Sequence, residues 1–289
     1  MPPSFKPSRL LGIAAILIGI GGILVPGGGP AGAATAKATG GPACGGIALT
    51  KATGLPWVCT FDDEFDGAAL NRTKWTVQRT AAGGFRAGDG CVVDNPKTVS
   101  VSGGNLNLSV YRVAAPFACA LPRGSFATTW YAGSVYTKSF SQAYGRFSVR
   151  AKFPDADGIR GLQSAIWTYP RTMSPNNAFS GTSEIDIAEA YSQWPDLIGP
   201  TVHNFLGGST DHCLVPDWGA KFHTYTVEWT PQRATFIYDG VACFWAGRVG
   251  TAEPFLIALT QALGVRGNTY SAATPSPATM QVAWVRVWK

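Results

Sequence analysis

Charge is scarce in this chain. Asp, Glu, Lys and Arg make up 14% of 289 residues, against roughly 25% in an average soluble domain. The remainder is 46% hydrophobic and 12% aromatic, which excludes disorder, a state that charge-rich and aromatic-poor chains adopt. The basic excess is small, 23 Lys and Arg against 17 Asp and Glu, and dispersed, so no nucleic-acid footprint is present. Histidine occurs three times, as His203, His212 and His223, at no spacing that makes a helical or hairpin metal pair. No CxxC or CxxH occurs, and the 35 Gly and 20 Pro follow no repeat period, which excludes collagen-like order. Amphipathic helical periodicity is nearly missing after residue 55. After the first 25 residues, no apolar run is long enough to cross a bilayer.

Instead, the N-terminus carries an export pattern. Lys6 and Arg9 precede an unbroken run of apolar residues and Gly from Leu10 to Val25, and both Ala31-Gly32-Ala33 and Ala34-Thr35-Ala36 fit a small-x-small cleavage site. Residues 1–36 are read as a secretory signal peptide. At 1.5 Å per residue the apolar run would span roughly 24 Å, less than the hydrocarbon core, so no membrane attachment is expected after cleavage. Residues 37–54 form a Gly/Ala/Thr-rich arm, and residues 55–289, without an internal boundary, a single domain. Six cysteines, Cys44, Cys59, Cys91, Cys119, Cys213 and Cys243, suit an oxidising, extracellular compartment. Sequential pairing closes the most local loops, giving Cys44–Cys59, Cys91–Cys119 and Cys213–Cys243.

The body of the chain alternates with period two. In Arg146 to Phe153 the apolar side chains fall on every second residue, and Leu106, Leu108, Val110 and Tyr225, Val227, Trp229 repeat this. Such strands bury one face and solvate the other. Val282 to Trp288 is apolar on nearly both faces, the mark of a central strand. Asp239-Gly240 between two apolar runs signals a two-residue hairpin. Many short strands joined by Gly- and Pro-rich turns predict an all-β sandwich or jelly roll.

Only five Glu occur, and two of them stand in Glu184-Ile185-Asp186-Ile187-Ala188-Glu189. Three carboxylates within six residues of a β-branched strand repel one another and disfavour the strand. Glu184 and Asp186 share a face, but Glu189 has the wrong parity. One extra residue, a β-bulge near Ile187-Ala188, returns it to the acidic face. Three uses fit such a cluster: the paired carboxyls of retaining glycoside hydrolysis, a calcium site, or a solvated face without a role. Ten Trp favour the first, since sugars stack their apolar faces on aromatic rings. Trp130, Trp167, Trp194 and Trp218 lie in or beside segments flanking the carboxylates, with Trp194 in a polar loop before Pro195-Asp196.

These residues resemble glycoside hydrolase family sixteen in its laminarinase-like form with the bulged E-x-D-x-x-E motif. Phe61-Asp62-Asp63-Glu64-Phe65-Asp66-Gly67 with Lys74-Trp75 is similar to the family's opening strand, and Tyr144-Gly145-Arg146-Phe147 to a second segment. Phe222-His223-Thr224-Tyr225, Tyr238-Asp239-Gly240 and Val285-Arg286-Val287 follow in the family's order. The resemblance implies a β-jelly roll of two antiparallel sheets with a concave substrate cleft, and retaining endo-hydrolysis of β-1,3-glucan. Mixed-linkage glucan, galactan, transglycosylation and non-catalytic sugar binding are the alternatives. It implies Glu184 as nucleophile, Glu189 as acid/base and Asp186 as the group that tunes Glu184. Trp167, Trp194, His203 and Arg146 are expected to line the cleft, with no cofactor, no metal and a monomeric protein. Four positions depart from the pattern, the first being Thr98, where the family has an Asn before its Val-x-Val segment. Gln163 and Ser164 stand where the family's W-P-A-x-W platform has its first Trp and its Pro, and Ala283 where many relatives have a calcium-binding Asp. Like charges disfavour ionisation, so Glu189, beside two carboxylates, is expected to hold its proton longest.

Overall fold

The computed structural model describes residues 43–156, 158–172, 183–204 and 208–289, apart from the Arg266 side chain, all within the unit Gly40–Lys289. The expected leader, residues 1–36, and the first part of the arm lie outside the described residues. Strands are numbered along the chain. One sheet, here called the outer sheet, runs β4 (Val99–Ser102), β5 (Asn105–Ala120), β17 (Ala278–Trp288), β7 (Gly145–Lys152), β13 (His223–Trp229), β14 (Ala234–Tyr238) and β15 (Val241–Ala246). β1 (Cys59–Asp63) pairs with the C-terminal half of β17 on the edge that β5 occupies further back. The second, inner sheet runs β2 (Trp75–Val77), β6 (Ser125–Thr137), β16 (Phe255–Leu263), β8 (Leu162–Pro170), β9 (Glu184–Tyr191) and β10 (Leu197–His203). The short strands β11 (Ser209–Thr210) and β12 (Cys213–Leu214) finish that edge. All these pairings are antiparallel; among the described strands only β3 (Cys91–Val92) runs parallel to its neighbour, β6.

The two sheets make a jelly-roll sandwich, and the alternation in the sequence shows how. On β7, Phe147, Val149 and Ala151 are buried while Arg146, Arg150 and Lys152 take the other face. From the inner sheet, Ile166, Ile185, Ile187 and Leu259 enter the same core cluster. β16 is buried along its whole length, as a strand with partners on both edges and packing on both faces must be. β17 is central to the outer sheet, as its double apolar pattern predicts. Asp239 and Gly240 both adopt positive φ, 47° and 84°, the conformation of a tight hairpin turn. Asp239 also caps the strand before it: its carboxylate accepts from the Thr224 backbone N–H at 2.8 Å and pairs with His223 Nδ1 at 2.6 Å. His223 is thus a structural hydrogen-bonding residue at a strand start.

The opening motif is structural too. Asp63 accepts from Trp75 Nε1 at 2.7 Å and the Phe65 N–H at 3.1 Å, while Glu64 holds Arg286 through two bonds of 2.8 and 2.7 Å. All three disulfides pair sequentially, Cys44–Cys59, Cys91–Cys119 and Cys213–Cys243. Trp130 and Trp218, expected near the carboxylates, are fully buried in core packing instead.

Gly133 on β6 marks a close approach of backbone segments. A Cβ there would lie 2.1 Å from the Thr98 carbonyl oxygen, which already accepts the Ser109 N–H at 2.9 Å. Backbone cannot move aside as a flexible side chain does, so Gly133→Ala should cost about 1–3 kcal/mol through overpacking. Urea denaturation of the variant checks this.

Candidate active site

β9 carries the three carboxylates, and its pairing is interrupted where parity requires. Against β8, Ala188 sits opposite Ile166 and Asp186 opposite Trp167, the next residue, so Ile187 has no partner. Against β10, Glu189 faces Gly199 and Asp186 faces Thr201, so Ile187 and Ala188 together span the single residue Pro200. Ile187 and Ala188 both point into the core with Ile185 and Ala190. Glu184, Asp186 and Glu189 consequently share the opposite face, where all three line one hollow. A bulge leaves backbone groups outside the ladder, and a buried carbonyl without a partner is costly. Here the Ile187 carbonyl accepts from the buried Tyr238 hydroxyl of the outer sheet, at 2.7 Å.

Each carboxylate has its own environment. Glu189 Oε1 accepts from Gln163 Nε2 at 2.8 Å and from the Tyr191 hydroxyl at 3.2 Å. Gln163 thus fills the place of a stacking Trp with an amide that fixes Glu189. Asp186 Oδ2 lies 3.0 Å from His203 Nε2. Glu184 is hydrogen-bonded to Asp186, and its carboxyl is pushed up to about 9, first by burial and then by the Asp186 charge. The Glu184–Asp186 pair therefore shares a proton at neutral pH, and its titration belongs to the pair. The carboxyl that the structure pushes up is Glu184, where counting neighbouring charges pointed to Glu189. Counting like charges ignored burial and the direct hydrogen bond, which fall on Glu184. Donor atoms of Glu184, Asp186 and His203 all lie within 4.8 Å of one another, close enough to seat a cation. A proton between the two carboxyls answers the same crowding.

The hollow around the carboxylates is the middle of three that follow one another across the inner sheet. The first, of about 480 Å³, lies over β2, β6 and the end of β8; it shares Phe85 with the middle one. The third, of about 360 Å³, lies over β9, β10 and β11 and shares Glu189 with the middle one. Trp167 lines the middle hollow but is only 6% exposed. Phe85 stacks on it at 6.1 Å and Tyr169 at 4.6 Å, and its Nε1 donates to Thr260 Oγ1 at 3.1 Å. Trp194, 48% exposed, lines the third hollow with His203 and His212. Phe85, Tyr169 and Tyr136 are groove residues that the sequence reading missed. They come from a loop and from two strands whose neighbours only the sheet order reveals.

Arg146 is a correction. It was expected to line the cleft, but β7 belongs to the outer sheet, and alternation with Phe147 and Val149 turns Arg146 away from the core. There it pairs with Glu228 across β13, with the whole sandwich between it and the carboxylates.

Two consequences can be measured. Tyr238→Phe leaves the Ile187 carbonyl buried without its donor and should cost about 1–3 kcal/mol, with kcat falling more than KM changes because the bulge sets the carboxyl positions. Calorimetry and steady-state kinetics on one preparation check both. Glu184 holds a proton in the fold that the unfolded chain releases from about pH 4.5 upward, so it makes stability fall as pH rises between that value and about 9. Glu184→Gln should accordingly raise Tm at pH 8 and hardly change it at pH 4.5. A gap that narrows with rising pH would contradict the assignment.

Comparison with known proteins places this geometry. A model of the Glycosyl hydrolases family 16 matches residues 89–286. The Glucan endo-1,3-beta-glucosidase A1 of Niallia circulans is 27% identical over 267 residues, covering 79% of this chain and 37% of its own. The Keratan-sulfate endo-1,4-beta-galactosidase of Sphingobacterium multivorum is 28% identical over 263 residues, covering 84% of this chain and 59% of its own. The chain thus spans well under two thirds of the length of these relatives. The X-ray structure of the endo-beta-1,3-glucanase from Pyrococcus furiosus is similar with a TM-score of 0.71 at 21% identity, covering 84% of this chain and 97% of that one; at that identity the likeness concerns the fold. With the family model matched over well over half its length, the chain belongs to the glycosyl hydrolases of family 16.

Proposed function

We propose that this protein is a secreted, retaining endo-glycosidase that cleaves β-1,3-glucan by double displacement. The observation that carries the reading is the bulged β9, which sets Glu184, Asp186 and Glu189 on one face at the middle of a groove running across six strands. Three adjoining hollows, with the carboxylates in the middle one, suit a polymer cut internally. The glucan-cleaving relative from Niallia circulans supports the substrate class. Export is supported by the leader pattern and three disulfides.

Before attack the shared proton must leave Glu184: it passes to Asp186, and Glu184 becomes a carboxylate. Glu189 acts as the acid and gives a proton to the glycosidic oxygen as that bond breaks. Glu184 attacks the anomeric carbon and forms a glycosyl ester. Glu189, now a carboxylate, takes a proton from water. That water's oxygen attacks the same carbon and expels Glu184, so two inversions restore the β configuration. The Gln163 amide and the Tyr191 hydroxyl follow Glu189 through both states. Both donate to Oε1, which leaves Oε2 to carry the proton toward the leaving group. His203, beside Asp186, steadies the carboxylate of Asp186 when its proton shifts toward Glu184 as that leaves.

Reducing-sugar release from laminarin, lichenan, agarose and xylan tests the substrate class, with laminarin expected to be cut fastest. Roles are tested by rescue. Glu184→Gln should abolish turnover on every substrate. Glu189→Ala should still form the ester from a substrate with a good leaving group, and added azide should release a β-glycosyl azide. An α-configured product would overturn the assignment of the two glutamates.

A further inference from the structure

The hollow at the β2–β6 end of the groove differs from the other two in its charge. Two arginines line it, Arg79 and Arg171, and no acidic residue does. Neither forms an ion pair among the described residues. Arg171 Nη2 donates to the Thr137 and Phe140 carbonyls at 3.1 and 2.9 Å; these neutral acceptors orient the guanidinium without cancelling its charge. Glu253, next to this region, bonds the Thr172 hydroxyl at 2.8 Å and stays outside the hollow. The neighbouring segment 173–182 contains no charged residue in its sequence, so it supplies no counter-charge. The floor is aromatic and continuous with the active site. Tyr136 and Phe85 pack on a cluster of Tyr169, Trp167 and Leu256, and Tyr169 stacks at 4.6 Å on Trp167, which lines the hollow of the carboxylates.

Aromatic rings suit the apolar face of a pyranose. Guanidinium groups suit oxyanions, which they bind through paired N–H donors. A neutral glucan would leave two cations facing it with nothing to neutralise them. We propose that this hollow binds an anionic substituent, a carboxylate or a sulfate half-ester, carried on the glycan within a sugar unit or two of the bond that is cut. The inference rests on the glycosidase reading given above and narrows its substrate class to acidic or substituted β-glycans. Arg79, exposed and entering from the loop after β2, makes the approach, and Arg171, pinned by backbone, makes the fixed contact.

The test compares three oligosaccharides of one β-glucan backbone: unmodified, sulfated, and bearing a uronic acid unit. Specificity is read as the ratio of kcat/KM for each anionic form to the neutral one, and binding by calorimetry on the Glu184→Gln protein. At least one anionic form should be favoured about tenfold, the effect of one charge-assisted contact, and the form that wins identifies the anion. Arg79→Gln should lower that ratio by a similar factor. Raising salt from about 0.05 to 0.5 M should shrink it as exposed charges are screened. Ratios near one, or ratios that Arg79→Gln and salt leave unchanged, overturn the proposal, while cleavage of the neutral backbone leaves the glycosidase reading standing. Arg79-dependent binding of an anionic form, with none of the three forms cleaved, has the opposite meaning: the anion site stands and the hydrolytic reading falls.

Discussion

The whole site depends on one unpaired residue. A regular strand places residues at even separations on one face, so Glu184 and Glu189, five apart, belong on opposite sides of the inner sheet. Ile187 breaks that count, and what fixes it there is the core. Its side chain packs between the sheets, and its carbonyl accepts from Tyr238 of the outer sheet. The bulge is therefore stabilised by the packing of the sandwich and not by its own strand. Remove that tie and the ladder could slip back into register, which would turn Glu189 into an apolar core. The two-sheet architecture is in this sense part of the chemistry: the second sheet supplies the hydrogen bond that lets the first present both glutamates.

Concentrating three carboxylates in a half-buried groove opposes folding, and the groove-side face of the inner sheet is built to contain that cost. Glu189 has two donors, Asp186 lies beside His203, and Glu184 shares a proton with Asp186. Beneath them runs a satisfied polar network. Ser134 bonds both Gln78 and Thr260 at 2.8 Å, Thr260 accepts from the Trp167 indole, and Ser164 donates to Gln261 at 2.6 Å. Buried polar groups that are all partnered hold their side chains in one arrangement. Trp167 is thus locked from below by Thr260 and from the side by Tyr169 and Phe85. A sugar meeting that floor finds surfaces already in place, and little entropy remains to be lost on binding.

Much of this was legible in the residues, and the reasons divide cleanly. Alternation on β7 and β13, the Asp239-Gly240 turn and the double apolar pattern of β17 are local signals, and local signals survive folding unchanged. The bulge was legible because parity is arithmetic: carboxylates meant for one face must be an even number apart or gain a residue. Arg146 shows where this kind of reading stops. Alternation assigns it a face of its strand, but which sheet the strand joins is decided by long-range pairing with β13 and β17. Trp130 and Trp218 fail for the same reason, since a Trp on a segment flanking the carboxylates can turn its ring into the core. The proton on Glu184 was out of reach because burial and a hydrogen bond, not the number of neighbouring charges, decide it.

Strands and loops divide the work in a way that follows from their physics. Glu184, Asp186 and Glu189 stand on a strand with partners on both edges, where a shift of one residue reverses every side chain. Such positions can hold carboxyls in a fixed geometry but cannot be altered singly without disturbing the register. Phe85, Arg79 and Trp194 reach the same groove from connections between strands, where backbone change is tolerated and recognition residues accumulate. Gln163 lies between the two cases. It is a strand residue, yet its side chain is long enough to abandon a stacking role and hold Glu189 instead, without moving the backbone of β8. An exchange of that kind alters what the groove offers a sugar next to the reacting bond while leaving the bulge, the Tyr238 bond and the proton shared by Glu184 and Asp186 untouched. Chemistry and recognition can therefore vary independently in this fold, because they rest on different elements of it.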